Sequence, residues 1–317
     1  MRRQISITSP TEKTTKEGLE DFIAYQKALN NSPKSINYYI NCYEYFIKYF
    51  MEGNLCNQIN ERVIIEYINF LYEKDPPLSG ETVKSYLVGL RAIIYYWQKE
   101  GYIQSFTIKI PKTDTTIKEP YSDEDIKRLI KEPRFSKCSF AEVRDWAMTC
   151  FFLATGCRLS TATNILIGDV DFIQKEIFIR KTKNRKQQII PMSLELEKTL
   201  KTYLRYRKGT NEDYLFCNVY GECLSKNSVT STMRRYIKKR GVTKTGIHRF
   251  RHTFAKNWIM NGGDMFRLQK ILGHSTLDMV KQYVAIFGGD LKKDYERFSV
   301  LDRVKEDETV KHRITMK

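Results

Sequence analysis

The chain has 317 residues, of which 41% are hydrophobic and 29% charged, and its formal net charge is +17. No apolar run reaches the roughly 18 residues of a membrane span, and the polar start after Met1 lacks a signal-peptide core. The seven cysteines are odd in number and form no Cys-x-x-Cys pair, which favours reduced thiols over a disulfide framework. We therefore predict a cytoplasmic protein of about two domains without a membrane partner.

The positive charge is spread unevenly along the chain. Residues 1–118 carry 15 Lys and Arg against 13 Asp and Glu, a net of +2, whereas the remainder carries +15. A positive field of this size favours nucleic acid or an anionic surface as a partner. A basic, solvated surface without a partner is the alternative that charge alone leaves open.

The first part of the chain predicts a small helical domain over residues 14–104, after a flexible polar lead at 1–13. Apolar residues at helical spacing indicate four helices, at about residues 14–29, 33–51, 60–74 and 80–100. Ser32 is placed to cap the second helix, and Pro33 suits its first position, where no amide donor is needed.

A linker is predicted at residues 105–120, which are rich in Thr and Lys and lack helical periodicity. The second domain is predicted over residues 121–303, with a mobile charged tail at 304–317. It begins with a helix cap at Ser122 and contains an apolar helix at about 140–155 that ends at Gly156. Alternating segments predict three antiparallel strands, at about residues 170–172, 176–179 and 188–191. The chain after residue 193 reads as mainly helical. The fold class is therefore mainly α with a small antiparallel sheet.

One constellation in the second domain carries chemistry. His248 and Arg251 are three residues apart, which places both on one face of a helix. Leu272-Gly273-His274 follows, and Tyr283 comes nine residues after that histidine. Cleaving a phosphodiester needs a nucleophile, fixed donors for the non-bridging oxygens and an acid for the departing oxygen. Arginine suits the donor role because its planar fork donates two parallel hydrogen bonds and keeps its charge.

These residues, with Arg158 after its glycine turn and the lysine tract before Pro191, resemble the tyrosine recombinases of the phage-integrase family, which includes Xer-like enzymes. The resemblance implies a helical core-binding (SAM-like) domain joined to a catalytic domain. It also implies a site-specific DNA recombinase that cleaves and rejoins strands through a 3′-phosphotyrosine, as in integration, excision or resolution of DNA. No metal and no other cofactor is expected.

By the same resemblance, each motif residue has an expected role. Tyr283 attacks the scissile phosphate, and Arg158 and Arg251 hold its non-bridging oxygens. His248 supports proton transfer at the nucleophile, and His274 donates to the phosphate. A lysine in the turn between the last two strands protonates the leaving 5′-oxygen. Counting back from the proline of the third strand places Lys183 at the family's lysine position. Lys181 is the alternative, because such turns vary in length.

The same residues allow other interpretations. His248 and His252 share a helix face, so a two-histidine metal site is conceivable, but no carboxylate or thiol is well placed to complete it. Tyr295 is the nearest rival nucleophile, and its spacing with Leu291 and Phe298 is typical of a packing face.

The resemblance also implies how DNA is held. Double-stranded DNA is expected between the two domains, with Lys34, Lys84 and Arg91 as contacts in the first. A homo-tetramer on two DNA sites is expected, in which the apolar stripe of residues 288–301 docks on a neighbouring protomer. Two rival functions share the sequence: DNA relaxation of the type IB topoisomerase kind, and a regulator that binds a DNA sequence without cleaving it.

Overall fold

The computed structural model describes residues 12–51, 53–113, 119–180, 187–273, 276, 277, 280, 281 and 283. The chain divides into two compact units, Met1–Thr116 and Ile117–Lys317. No helix in the described ranges is both long and apolar enough to cross a membrane.

The first unit contains the four predicted helices, with bounds that differ from the expected ones by one or two residues. They are α1 (Thr15–Ala28), α2 (Pro33–Phe50), α3 (Glu61–Tyr72) and α4 (Gly80–Lys99). Local capping explains where all four begin: each is preceded by a side chain that accepts a hydrogen bond from the amide three residues on, at Thr14, Ser32, Asn60 and Ser79. Pro33 occupies the first turn of α2, as predicted.

The core of this unit is aromatic and close-packed. Phe22, Phe46 and Trp97 are fully buried in it. Helices α2 and α4 pack against each other: the Tyr38 hydroxyl donates to the carbonyl of Ser85 at 2.5 Å, and the ring of Tyr45 stacks on that of Tyr86. After α4 the chain is not helical, and side chains from the stretch 105–113 pack against this core rather than standing free.

The second unit is mainly helical with a small sheet, and it confirms the predicted fold class. Its helices are α5 (Asp123–Ile130), α6 (Phe140–Thr155), α7 (Leu159–Ala162), α8 (Leu194–Arg207), α9 (Lys226–Lys239), α10 (Ile247–Met260) and α11 (Met265–Leu272). Its strands are β1 (Val170–Asp171), β2 (Glu176–Ile179) and β3 (Gln188–Pro191), antiparallel in the order β1-β2-β3. The register aligns Phe178 with Ile189, so the alternation in the sequence predicted these strands correctly.

Helix α6 is the central element of the second unit. It is buried along most of its length and packs against α8 and α10. Gly156 ends α6 in the left-handed conformation, with φ of 59°. A Cβ at that position would lie 2.6 Å from Phe254 and 2.8 Å from Leu272, so glycine is required both by the backbone angle and by the close approach of α10 and α11. This turn leads directly into Arg158.

Candidate active site

Arg158 projects from the residue before α7 toward the end of α11. Its Nη1 lies 3.3 Å from the carbonyl oxygens of both Leu272 and Gly273, and its Nη2 lies 3.3 Å from that of Gly273. Burial lowers the pKa of this guanidinium, while the nearby Tyr283 acts to raise its pKa. The side chain is therefore a partly buried cation held on backbone acceptors.

Arg251 reaches the same helix end from α10. It is 7% exposed, and it donates from Nη1 to the Gly156 carbonyl at 2.9 Å and from Nη2 to the Leu272 carbonyl at 2.7 Å. Burial and the charge of Arg158 lower the pKa of Arg251 to about 10. Both guanidiniums thus stay protonated at neutral pH and share the Leu272 oxygen, which places two positive charges side by side.

Tyr283 lies against this arginine pair. Its side chain is 6% exposed and packs with Ala255, Leu268 and Leu272. Burial raises the pKa of its phenol, and the charges of Arg251 and Arg158 act in the opposite direction. The phenol is consequently neutral at neutral pH, and a nucleophilic role requires a group that removes its proton.

His252 is the residue that contacts the phenol. Its Nδ1 lies 3.0 Å from the Tyr283 hydroxyl, and the two ring centroids are 5.6 Å apart. Sequence reasoning considered His252 as a metal ligand and gave it no role at the nucleophile. The available signal was its position, one residue after Arg251 and one helical turn after His248, because that places it on the face of α10 that carries the site.

The structure describes some of the predicted site residues and leaves others outside its described ranges. Arg158, Arg251 and Tyr283 are brought together, although they lie up to 125 positions apart in the chain. His248 lies exposed in the first turn of α10. Lys183, its rival Lys181, His274 and Tyr295 fall outside the described residues, so their expected roles stay predictions.

Comparisons with known proteins identify the family of the chain. The Phage integrase family model matches residues 121–288, more than half of the chain. The chain belongs to the phage integrase family. A second model, the Phage integrase SAM-like domain, matches residues 20–113, which cover most of the helical first unit.

Named relatives of this phage integrase family member are tyrosine recombinases. It is 28% identical to tyrosine recombinase XerA of Pyrococcus furiosus, over 92% of this chain and 98% of the relative. It is 25% identical to tyrosine recombinase XerC of Oceanobacillus iheyensis, over 87% of this chain and 94% of the relative. These relatives identify an enzyme of the tyrosine recombinase class and support site-specific recombination. They do not favour the relaxing enzyme or the binding-only regulator.

Solved structures of phage integrase relatives share the fold. A lambda integrase dimer bound to a COC′ core site superposes with a TM-score of 0.69 at 16% identity, covering 98% of this chain and 83% of that one. XerH bound to a palindromic difH substrate, in a post-cleavage complex, gives a TM-score of 0.64 at 23% identity, covering 90% and 84%.

The predicted DNA contacts of this phage integrase lie on α2 and α4 of the SAM-like unit. Lys34 is exposed in the first turn of α2, and Lys84 is partly exposed in the first turn of α4, 3.9 Å from Glu81. Arg91 is partly exposed two turns further along α4. The Tyr38–Ser85 hydrogen bond brings α2 and α4 into contact about one turn after Lys34 and one residue after Lys84.

No group of three or more His, Cys, Asp or Glu side chains in the described part of the chain is arranged to hold a metal ion. His252, one of the two histidines considered as ligands, has its Nδ1 engaged with the tyrosine hydroxyl. The residues that the structure does bring together are two cations, an imidazole and a phenol, and this set suits an anionic substrate.

Proposed function

We propose that this chain is a site-specific DNA recombinase that cleaves and rejoins double-stranded DNA through a covalent phosphotyrosine at Tyr283. The observation that carries the proposal is the convergence of Arg158 and Arg251 on the Leu272 carbonyl beside that phenol. Two guanidiniums with fixed geometry can neutralise both non-bridging oxygens of a phosphodiester as charge develops.

In the proposed reaction the Tyr283 oxygen forms a bond to phosphorus while the bond from phosphorus to the 5′-oxygen breaks. The phenolic proton passes to a histidine of α10, and the departing 5′-oxygen receives a proton from Lys183 or Lys181. His274 donates to the phosphate. Since the phosphotyrosine ester retains the energy of the broken bond, the reverse attack by a 5′-hydroxyl rejoins the strand without a high-energy cofactor.

The histidine that takes the phenolic proton is proposed to be His252, supported by His248 one turn earlier. The 3.0 Å contact from His252 Nδ1 to the Tyr283 hydroxyl is within the range for direct proton transfer. Nδ1 must be unprotonated to accept, so the ring carries its proton on Nε2 before attack. Rejoining returns the proton from Nδ1 to the phenolic oxygen.

The DNA partner is proposed from chemistry and from the relatives. The net charge of +17 supplies a long-range attraction for a polyanion. The lambda integrase and XerH neighbours are each bound to their DNA sites. Lys34, Lys84 and Arg91 are proposed as contacts to the phosphate backbone, where they would add affinity without reading sequence.

The assembly is proposed to be a homo-tetramer on two DNA sites, joined by exchange of the stripe at residues 288–301. An apolar groove on the second unit offers a receiving surface, lined by Ile126, Leu153, Phe254 and Trp258 among others. A lambda integrase neighbour forms a tetramer on a Holliday junction, with a TM-score of 0.69 at 16% identity, over 86% of this chain and 80% of that one.

The test is the substitution Tyr283→Phe, which removes the nucleophilic oxygen and keeps the ring. The DNA probe is a duplex selected from a randomised library by its binding to the wild-type chain. A series of substrates is made from it, each with one nick at a different position. Cleavage close to the nick then releases a fragment too short to stay bound and be rejoined. Wild-type protein should form a denaturant-resistant covalent adduct, and Tyr283→Phe should bind the duplex but form none. Tyr220→Phe, at an 84% exposed tyrosine of the same unit, is the matched control and should form the adduct normally. An adduct that persists in Tyr283→Phe contradicts the proposal.

A further inference from the structure

The carbonyl end of α11 is held by side chains from three separate elements. An α-helix leaves its last four carbonyls without helical partners. In α11 the amide N–H of Gly273 donates to the carbonyls of Gln269 and Lys270. The carbonyl of Leu272 accepts from Arg251 and Arg158, as described above. A residue of the sheet donates to the carbonyl of Ile271 and, together with the Gly273 amide, to that of Lys270.

That residue is Gln188, the first residue of β3. Its Nε2 donates to the carbonyl of Lys270 at 2.7 Å and to that of Ile271 at 2.5 Å, so each hydrogen of the amide has its own acceptor. Its backbone is fixed by pairing with Ile179 of β2. A donor anchored on a strand therefore holds the last turn of the helix on which both arginines converge.

The other end of the Gln188 amide faces the same turn. A Cβ built on Gly273 would lie 3.1 Å from Gln188 Oε1 and 3.6 Å from Arg158 Nη1, so both side chains flank this left-handed glycine, whose φ is 62°. Gln188 is neutral and therefore contributes donors here without adding a third positive charge. Gln188 contacts the helix end that orients the arginines, and it is not proposed to contact the substrate.

We propose that Gln188 is a positioning residue for the arginine pair: by holding the carbonyls of Lys270 and Ile271, it fixes the Leu272 and Gly273 carbonyls that orient Arg251 and Arg158. This inference rests on the proposed function for its effect on DNA cleavage. Its structural half, the restraint of the α11 end, stands on the hydrogen bonds alone.

The test compares a variant that loses the donors with one that keeps a donor. Gln188→Met preserves the length of an unbranched side chain and removes both hydrogen bonds, while Gln188→His retains a neutral N–H donor for one of the two carbonyls. A displacement of the guanidiniums by about 1 Å is enough for a rate loss of about 100-fold. We expect adduct formation by Gln188→Met on the nicked duplex to slow by about 10- to 100-fold with duplex affinity changed less than about threefold, and Gln188→His to lose clearly less.

A measurement that depends on the arginine charges distinguishes misplaced guanidiniums from a general loss of structure in the variant. Replacing one non-bridging oxygen of the scissile phosphate by a methyl group removes the negative charge that a guanidinium neutralises. The defect of Gln188→Met should then shrink on this methylphosphonate duplex, because the misplaced cation has less charge to stabilise. Gln187→Ala, at the exposed neighbouring residue, should behave as the wild type on both duplexes.

A measurement without DNA keeps the inference independent of the proposed function. Amide hydrogen exchange in the last turn of α11 should accelerate in Gln188→Met, while exchange in α8 of the same unit stays unchanged. Should Gln188→Met fail to fold, Gln188→Asn, whose shorter amide cannot reach both carbonyls, takes its place. Three results would overturn the inference. The first is amide hydrogen exchange at α11 that does not change in Gln188→Met. The second is wild-type cleavage by a folded variant without the donors, and the third is a rate defect of equal size on the phosphodiester and methylphosphonate duplexes. If the wild-type chain forms no adduct but hydrogen exchange at α11 still accelerates in Gln188→Met, the proposed function is overturned and the inference about Gln188 is not.

Discussion

At the scale of single residues, the site depends on the backbone carbonyls that accept from one buried and one partly buried arginine. Arg251 is almost fully buried, and its two terminal nitrogens donate to two different backbone carbonyls, those of Gly156 and Leu272. A buried charge is tolerated when its donors are occupied in this way. The planar fork of the guanidinium is what allows one side chain to connect the ends of α6 and α11.

We therefore predict that Arg251→Lys is not a conservative change. A lysine ammonium is a point charge that cannot keep both carbonyls and also present a donor to a phosphate oxygen. Losing one transition-state donor typically costs about 100- to 1,000-fold in rate, so adduct formation should fall by about that factor while duplex binding persists. Arg249→Lys, on the same helix but bonded to the Glu119 carbonyl, is the matched control. Wild-type cleavage by Arg251→Lys would remove this residue from the site.

His252 gives the second prediction at this scale. His252→Ala leaves the buried Tyr283 hydroxyl without its imidazole partner, and burial already raises the pKa of that phenol. Loss of a proton acceptor typically slows a reaction by about 100- to 10,000-fold. Because His248 lies one turn away, we expect a loss at the lower end of that range, measured as the single-turnover rate of adduct formation at saturating protein. An unchanged rate would leave His252 with a packing role only.

The residue scale also shows what the sequence could and could not reveal. The resemblance to the phage-integrase family, which these motifs carry, named Arg158, Arg251 and Tyr283 as partners, and the structure brings the three together. The part played by His252 was missed because its contact with Tyr283 crosses from one helix to another, which helical spacing within α10 cannot show. The Leu272 carbonyl was missed for a different reason: a backbone acceptor carries no signature in the identity of its residue.

At the scale of elements, the boundaries that local chemistry sets were predictable. Caps at Ser32 and Ser122 and the alternation in β2 and β3 depend on neighbours a few residues away. Two short helices, α7 and α11, were not singled out, because four and eight residues are too few to show a helical period. Their positions follow from the packing around Gly156 and Gly273, which is a tertiary effect.

The turn at Gly156 gives a prediction for this scale. In Gly156→Ala the new methyl group would meet Phe254 and Leu272 at under 3 Å and would occupy a left-handed backbone position. We expect a loss of about 2–4 kcal/mol in the free energy of unfolding, from the backbone conformation and from overpacking together. Adduct formation should fall as well, because the displaced carbonyl is an acceptor of Arg251.

Gly262→Ala provides the control for that prediction. Gly262 also has a positive φ, 72°, but a Cβ there would meet nothing within 4 Å. It should therefore lose only the backbone contribution, about 1 kcal/mol. Urea unfolding of both variants separates the two contributions. Equal losses in the two variants would show that the contacts of Gly156 with α10 and α11 add nothing to stability.

At the scale of the whole molecule, the two units differ most in their net charge. The first unit is almost neutral by sequence, whereas the second carries nearly all of the net charge of +17. Long-range attraction to DNA is then dominated by the unit that holds the arginine pair. Any phosphate contacts made by the first unit must come from individually placed residues, and the sequence proposes Lys34, Lys84 and Arg91 for them.

Salt dependence measures those contacts directly. Each phosphate that a protein neutralises contributes about −0.9 to the slope of log affinity against log salt concentration. If Lys34, Lys84 and Arg91 all contact phosphates, replacing the three by Ala should make the slope shallower by about 2 to 3. The selected duplex should still be cleaved once protein concentration is raised to saturation, because these residues lie outside the arginine site.

A triple variant at Lys175, Lys198 and Lys201 makes the comparison decisive, since it removes the same number of charges. These three lysines are each within 3.6 Å of a carboxylate of Glu195 or Glu197, so their charges are largely compensated in the folded protein. Release of counterions from DNA depends on contact with its phosphates, whereas the long-range field depends on total charge. A shallower slope in the first variant alone therefore assigns phosphate contacts to α2 and α4. An equal change in both variants would mean that total charge, and no particular surface of the first unit, sets the salt response.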